Sequence, residues 1–199
     1  MNGLSEDHIE QAGIETLKTL GWQYLDGMAI SPDGSAPQRA SCSDTVLTRR
    51  FDRALRVLNP DLPEDAIESA LRQVLNTDKP NLIEENRRLH KLMTDGVGVE
   101  YRAADGSVKS DRVWLVDFDD PGANDWVVTN QFTIVEGQKN RRPDLVCFLN
   151  GLPVAVLELK NPGSESATLT SAYNQLQTYK TQIPSLFRTN AVLVTSDGM

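Results

Sequence analysis

Between Arg142 and Lys160 the chain reads RPDLVCFLNGLPVAVLELK. Two apolar runs flank an Asn150-Gly151 pair, and that pattern predicts a β-hairpin. It constrains the fold more than any other stretch, because side chains alternate along a strand and the turn decides which residues share a face. Alternation groups Val154, Val156, Glu158 and Lys160 on one face of the second strand, with Ala155, Leu157 and Leu159 on the other. On the first strand Asp144, Val146 and Phe148 fall together. A two-residue turn would pair Leu149 with Leu152, set Asp144 opposite Leu157 and turn Glu158 away. A three-residue loop with Gly151 left-handed pairs Phe148 with Leu152 and brings Asp144 opposite Val156, one diagonal step from Glu158. The three-residue loop is our expectation; a bulge near Pro153 restores the same parity.

Two carboxylates converging in a partly dry cleft repel each other unless a cation lies between them. An all-oxygen site of this size suits Mg²⁺, with Mn²⁺ as a substitute, and the Leu159 carbonyl is a further candidate ligand. Lys160 beside them would add positive charge where a phosphate becomes more negative. The alternative is that Asp144 caps a strand while Glu158 and Lys160 form a surface ion pair. Further on, SAYNQLQTYK places Gln175 and Tyr179 four residues apart on one helical face, where an amide and a phenol next to a metal would hydrogen-bond a nucleic-acid backbone or orient Lys160; the alternative is routine helix surface.

The rest of the chain supplies the frame. SEDHIEQAGIETLKTLGW predicts a first helix with Ser5 as N-cap, a stripe of Ile9, Ala12, Gly13, Leu17 and Leu20, and a stop at Gly21. WQYLDGMAI is a short strand and the stretch after it a loop. Helical periods then run through TVLTRRFDRALRVLN, PEDAIESALRQVLN and LIEENRRLHKLMTDG, with Asp61 and Glu64 spaced for a capping box and the charges read as solvated faces. From Val97 the period changes. VGVEYRA, DRVWLVDF, DWVVTNQFTIV, RPDLVCFL and PVAVLELK predict five strands, followed by a helix that Pro184 stops and a last strand, AVLVTSDG. This order predicts an α/β fold. The sequence stops just past that strand, which predicts a piece of something longer.

The net charge of −8 is uneven: residues 1–140 carry 15 Lys/Arg against 24 Asp/Glu, residues 141–199 carry 5 against 4. A phosphate-facing surface is therefore expected near Arg141, Arg142, Lys160, Lys180 and Arg188, or from a partner. No apolar run reaches membrane-spanning length and no signal peptide opens the chain, so a cytoplasmic protein is expected. Cys42 and Cys147 read as buried thiols, and with only His8 and His90 a Cys/His zinc site or a histidine-based hydrolase is disfavoured. Trp114 and Trp126 are expected to pack in the strand region.

At Pro143-Asp144, Glu158-Leu159-Lys160 and Gln175-x-x-x-Tyr179 the sequence resembles the PD-(D/E)xK nuclease superfamily. More narrowly it resembles the N-terminal nuclease domain of the restriction (R) subunit of type I restriction–modification enzymes. The likeness takes in RRPDLVCFLNGLPVAVLELKNPG, the first helix ending in LGW and the NPDLPEDAIESAL segment. It implies a restriction-endonuclease-like α/β domain over 1–199: a mixed sheet flanked by helices, its main part at 97–199 completed by helix 5–20, with a helical elaboration at 44–95. Asp144 and Glu158 would be metal ligands, Lys160 the catalytic lysine, and Gln175 with Tyr179 the supporting pair that positions DNA or the active-site groups. An acid from the first helix often joins such sites; Glu10 is the choice, with Glu6 behind it. From their place just before the Asp144 strand, and not from the resemblance, Arg141 and Arg142 are read as meeting DNA phosphates, the alternative being a plain solvated loop. The implied activity is Mg²⁺-dependent cleavage of double-stranded DNA, with recognition supplied by modification and specificity subunits. ATP would serve only a motor region of a longer chain, since no Gly-Lys-Ser/Thr phosphate loop is present here. Two alternatives stay open: a docking module with an inactive nuclease face, and a same-fold nuclease acting in repair or on RNA.

Overall fold

The computed structural model describes residues 6–103, 105–161 and 168–197. Among the described residues are five α-helices, α1 Glu6–Thr19, α2 Thr48–Leu58, α3 Glu64–Leu75, α4 Leu82–Asp95 and α5 Leu169–Gln182, and a mixed five-stranded sheet. The sheet consists of β1 Gln23–Asp26, β4 Trp126–Asn130, β7 Leu145–Leu149, β8 Leu152–Leu159 and β9 Val192–Ser196, in the order β1-β4-β7-β8-β9. Its three central strands are antiparallel neighbours, while β1 and β9 join the two sides in parallel.

All five β7 residues are buried because helices cover both faces of the sheet. On one face, α1 contributes Ile9 and Ile14 to a cluster with Val128, Leu145, Cys147 and Leu159. The opposite face receives α5, whose Leu176 and Tyr179 pack with Val127, Val146, Phe148 and Val156. Each fully buried Leu, Val or Phe contributes about 1.5–3 kcal/mol, so these clusters fix how both helices sit. The α1 stripe differs from the expected one: Ile14 is in the core, whereas Ala12 and Leu20 are exposed. Ser5 and the side chain of Glu6 lie outside the described residues.

Two of the expected strands leave the sheet. Val97–Arg102 (β2) pairs only with Val108–Val113 (β3), and this ribbon packs its Val97, Val99 and Val113 against Ile67, Ala70 and Leu89 of the helical block. The strand expected at 111–118 thus lies earlier, and Trp114 is half exposed, its backbone held by the Asn59 carboxamide. Trp126 packs as expected, edge-on to Trp22 with ring centroids 4.9 Å apart. The run expected at 125–135 breaks at Gln131, where φ is 51°. It resumes as Ile134–Glu136 (β5), in a small ribbon with Lys139–Arg141 (β6).

The helical block sits over the turn end of β7–β8. The backbone N–H of Leu47 donates to the Gly151 carbonyl, and a Cβ on Gly151 would lie 2.6 Å from the Leu47 carbonyl oxygen. Not all the charge in this block faces solvent. Glu85 is 1% exposed and accepts hydrogen bonds from Arg88 (2.6 Å) and Arg188 (3.0 Å). Burial alone would raise its pKa; the two guanidiniums and the Lys79 and Asp78 amides instead hold it down at about 2. Arg188, expected near phosphate, is committed here, and also donates to the Val74 and Leu75 carbonyls. The expected capping box at Asp61 is absent: Pro63 precedes α3 without a side-chain cap, and Glu64 pairs with Arg56.

Candidate active site

The β7–β8 turn has two residues, not the expected three. Asn150 and Gly151 both have positive φ (52° and 84°), the conformation that an Asn-Gly hairpin turn requires. Leu149 pairs with Leu152 and Phe148 with Pro153. The Asn150 side chain fixes the turn, donating to the Leu115 carbonyl and Asn124 and accepting from the Asp125 N–H. Between Cys147 and Phe148 the register then shifts, so that Cys147 faces Ala155, Val146 faces Val156 and Leu145 faces Leu157. This bulge restores parity. Continued by one residue, the register sets Asp144 across from Glu158, on the sheet face that carries Val146, Val156 and α5.

The two acids stand at the end of the hairpin away from the helical block. The Leu159 N–H donates to Asp144 Oδ2 at 2.6 Å, pinning that carboxylate against β8. Glu158 is 1% exposed, and its Oε1 accepts from Lys160 Nζ at 2.8 Å. Its Oε2 is buried without a well-formed hydrogen bond. Burial, then the charge of Asp144, pushes Glu158 up to about 7, against the opposing pull of Lys160 and the nearby Tyr179 hydroxyl.

From the helix side, Lys160 Nζ also reaches Gln175 Oε1 at 3.4 Å, and Gln175 Nε2 donates to the Tyr179 hydroxyl at 2.6 Å. Gln175 and Tyr179 therefore meet the β8 residues as the i,i+4 spacing suggested. Burial is the main reason that Tyr179 rises to about 12, so it stays a neutral phenol at any physiological pH. Asn140, Arg141, Arg142, Asn174 and Thr178 join Gln175 and Tyr179 around a shallow groove of about 530 Å³. Arg141 donates to Gln182 at 2.6 Å, while Arg142 is exposed. Lys180 lines a different groove, beside Asn86 and Phe187.

Glu10 is linked to Asp144 through Gln131, which bonds both. It is buried on α1, across the sheet from α5, and its two oxygens accept from Asn130 Nδ2 and Gln131 Nε2, each at 2.8 Å. Among the described residues no group of three or more His, Cys, Asp or Glu side chains comes together as a metal-binding cluster. Sequence reasoning missed Asn130 and Gln131; the one signal was two adjacent carboxamides inside the apolar run DWVVTNQFTIV. Neither histidine belongs to the site: His8 is exposed on α1, and His90 contacts the Asn190 carbonyl. Cys147 is a buried thiol that burial raises to about 12, but Cys42 is only half-buried, contrary to expectation. No described helix is long and apolar enough to cross a membrane.

Against known proteins, residues 3–199 match the family described as the type I restriction enzyme R protein N terminus. The type I restriction enzyme HindI endonuclease subunit of Haemophilus influenzae is 41% identical over 197 residues, 98% of this chain and 19% of that protein. A Methanocaldococcus jannaschii protein, provisionally named the type I restriction enzyme MjaIXP endonuclease subunit, is 35% identical over 98% of this chain and 19% of its own length. A second from that organism, provisionally named the MjaVIIIP endonuclease subunit, is 29% identical over 87% of this chain and 16% of its own. The chain thus spans about a fifth of the length of the curated relatives it matches. With the family model matched over nearly its whole length, the chain belongs to the family of type I restriction enzyme R protein N-terminal regions.

Proposed function

We propose that this chain is the metal-dependent DNA endonuclease region of a type I restriction enzyme, with a restriction-endonuclease-like PD-(D/E)xK core. The observation that carries the reading is the buried Glu158 carboxylate, whose Oε2 makes no well-formed hydrogen bond, on the same sheet face as Asp144. Two acids so placed, one raised to about 7, form a site that a divalent cation would relieve. The donors are all oxygen, which fits Mg²⁺ or Mn²⁺, and Asp144, Glu158 and the Leu159 carbonyl are the groups that would hold the ion. The names of the longer relatives, endonuclease subunits of type I restriction enzymes, point the same way.

When bound, such an ion lowers the pKa of a coordinated water and neutralises phosphate charge. The chain's own residues prepare the rest. The Leu159 N–H holds Asp144 in place, and Gln175, itself fixed by Tyr179, steadies Lys160. Lys160 adds positive charge beside the phosphorus as water attacks in line. The new bond joins water oxygen to phosphorus and the P–O3′ bond breaks. The 3′ oxygen takes up a proton, leaving 5′-phosphate and 3′-hydroxyl ends. Arg141 and Arg142 are assigned to flanking phosphates. Double-stranded DNA is the substrate, modification and specificity subunits supply sequence recognition, and ATP is used by a motor region outside this chain. The setting is the cytoplasm.

The test is Lys160→Ala, assayed for DNA cleavage with Mg²⁺ in the complete restriction enzyme. Cleavage should disappear while the unfolding transition of the chain stays cooperative. Cleavage at the wild-type rate would remove Lys160 from its assigned role.

A further inference from the structure

Gln131 adopts a left-handed backbone (φ 51°) that costs a non-glycine residue roughly 1–2 kcal/mol. Such strain persists where the surroundings fix it, and it often marks a functional position. Here it lets one residue make two contacts. The Gln131 N–H donates to the carbonyl of Asp144 (3.3 Å), while its side-chain amide donates to Glu10 Oε2 (2.8 Å). Asn130 holds the other Glu10 oxygen, and its own Oδ1 accepts from the Tyr24 hydroxyl at 2.9 Å. The carboxamide orientation of Asn130 is thereby set, and α1, β1 and the end of β4 are tied to the residue that opens β7. Glu10 meanwhile lies on α1, whose Ile9 and Ile14 pack on one face of the sheet, whereas Glu158 is linked through Lys160 to Gln175 of α5, which packs on the other.

From this geometry we infer that Asn130 and Gln131 are positioning residues of the nuclease centre, clamping Glu10 and through that clamp fixing the backbone of Asp144. Glu10 acts as the anchor of the clamp and not as a metal ligand. The inference rests on the nuclease reading given above. It explains why a buried carboxylate is held by two neutral amides: both oxygens are already used, and the donors belong to the strand end that abuts Asp144.

A swap of hydrogen-bonding partners tests it. In Glu10→Gln the charge and one acceptor oxygen are gone, so the two charge-assisted bonds from the Asn130 and Gln131 side-chain amides are lost. In the double variant Glu10→Gln/Gln131→Glu the bond between positions 10 and 131 reforms with its direction reversed, and the carboxylate moves to position 131. Each is measured in the complete natural protein for Mg²⁺-dependent cleavage, and for Mn²⁺ affinity by the paramagnetic resonance of free Mn²⁺. Glu10→Gln should lower both about 10-fold or more, as removal of an outer hydrogen-bonding partner does. The double variant should return both to within about 3-fold of wild type. Gln131→Asn tolerates the left-handed backbone but is too short to reach Glu10, so it should behave like Glu10→Gln in both measurements while its unfolding transition stays cooperative.

A double variant as impaired as Glu10→Gln, with its fold retained, would make Glu10 a ligand and overturn the inference. Wild-type behaviour of Gln131→Asn in both measurements would overturn it too. Failure of the nuclease reading itself looks different. The wild type would then neither cleave nor bind Mn²⁺, Asp144→Ala would change nothing, and the inference would fall with that reading.

Discussion

Glu158 Oε1 lies 2.8 Å from the Lys160 ammonium, while Glu158 Oε2, equally buried, makes no well-formed hydrogen bond. One carboxylate is thus half satisfied, and the titration of the metal-free protein should register it. Burial and the Asp144 charge raise Glu158 from 4.5 to about 7. The folded chain therefore keeps a proton that the unfolded chain gives up. Its stabilising contribution is full below about 4.5 and is lost as pH rises through about 7. Unfolding in EDTA between those limits should show wild type losing on the order of 2–3 kcal/mol relative to Glu158→Gln. Parallel curves for the two proteins would contradict this.

The turn that feeds the site tolerates little change. Gly151 has φ 84°, and an added Cβ would meet the Leu47 carbonyl oxygen at 2.6 Å and the Phe51 nitrogen at 2.8 Å. Both obstacles are backbone. Gly151→Ala should destabilise the chain by about 2–3 kcal/mol, read as a lower midpoint in urea with an unchanged slope.

Glu85 joins the helical block to the segment after α5, through Arg88 and Arg188. Removing its charge leaves two guanidiniums facing a buried neutral amide. Glu85→Gln should cost roughly 3–5 kcal/mol by chemical denaturation. A loss below about 1 kcal/mol would mean that the cluster behaves as an exposed pair.

The hairpin, the face shared by Asp144 and Glu158, and the pairing of Gln175 with Tyr179 were legible because each follows from a local period of two or of i,i+4. The route to that shared face was not. Whether parity comes from a longer loop or from a bulge depends on how Asn150 is held by Leu115, Asn124 and Asp125, and on Leu47 closing over Gly151. These contacts come from distant sequence. The same applies to Gln131, whose left-handed turn is sustained by Glu10 and Asp144, and to β2–β3, which reads as sheet but is drawn to the helical block by Val97, Val99 and Val113. Glu85 looked solvated because nothing local reveals Arg188, which lies 103 residues away.

The central claim is that Asp144 and Glu158 together hold a divalent ion, and Mn²⁺ titration of the chain above pH 7 tests it most directly, since Glu158 titrates at about 7 and is then ionised. The account predicts saturable binding by wild type that weakens about 10-fold or more in both Asp144→Asn and Glu158→Gln. Absence of saturable binding by wild type, or equal affinity in all three proteins, would contradict it.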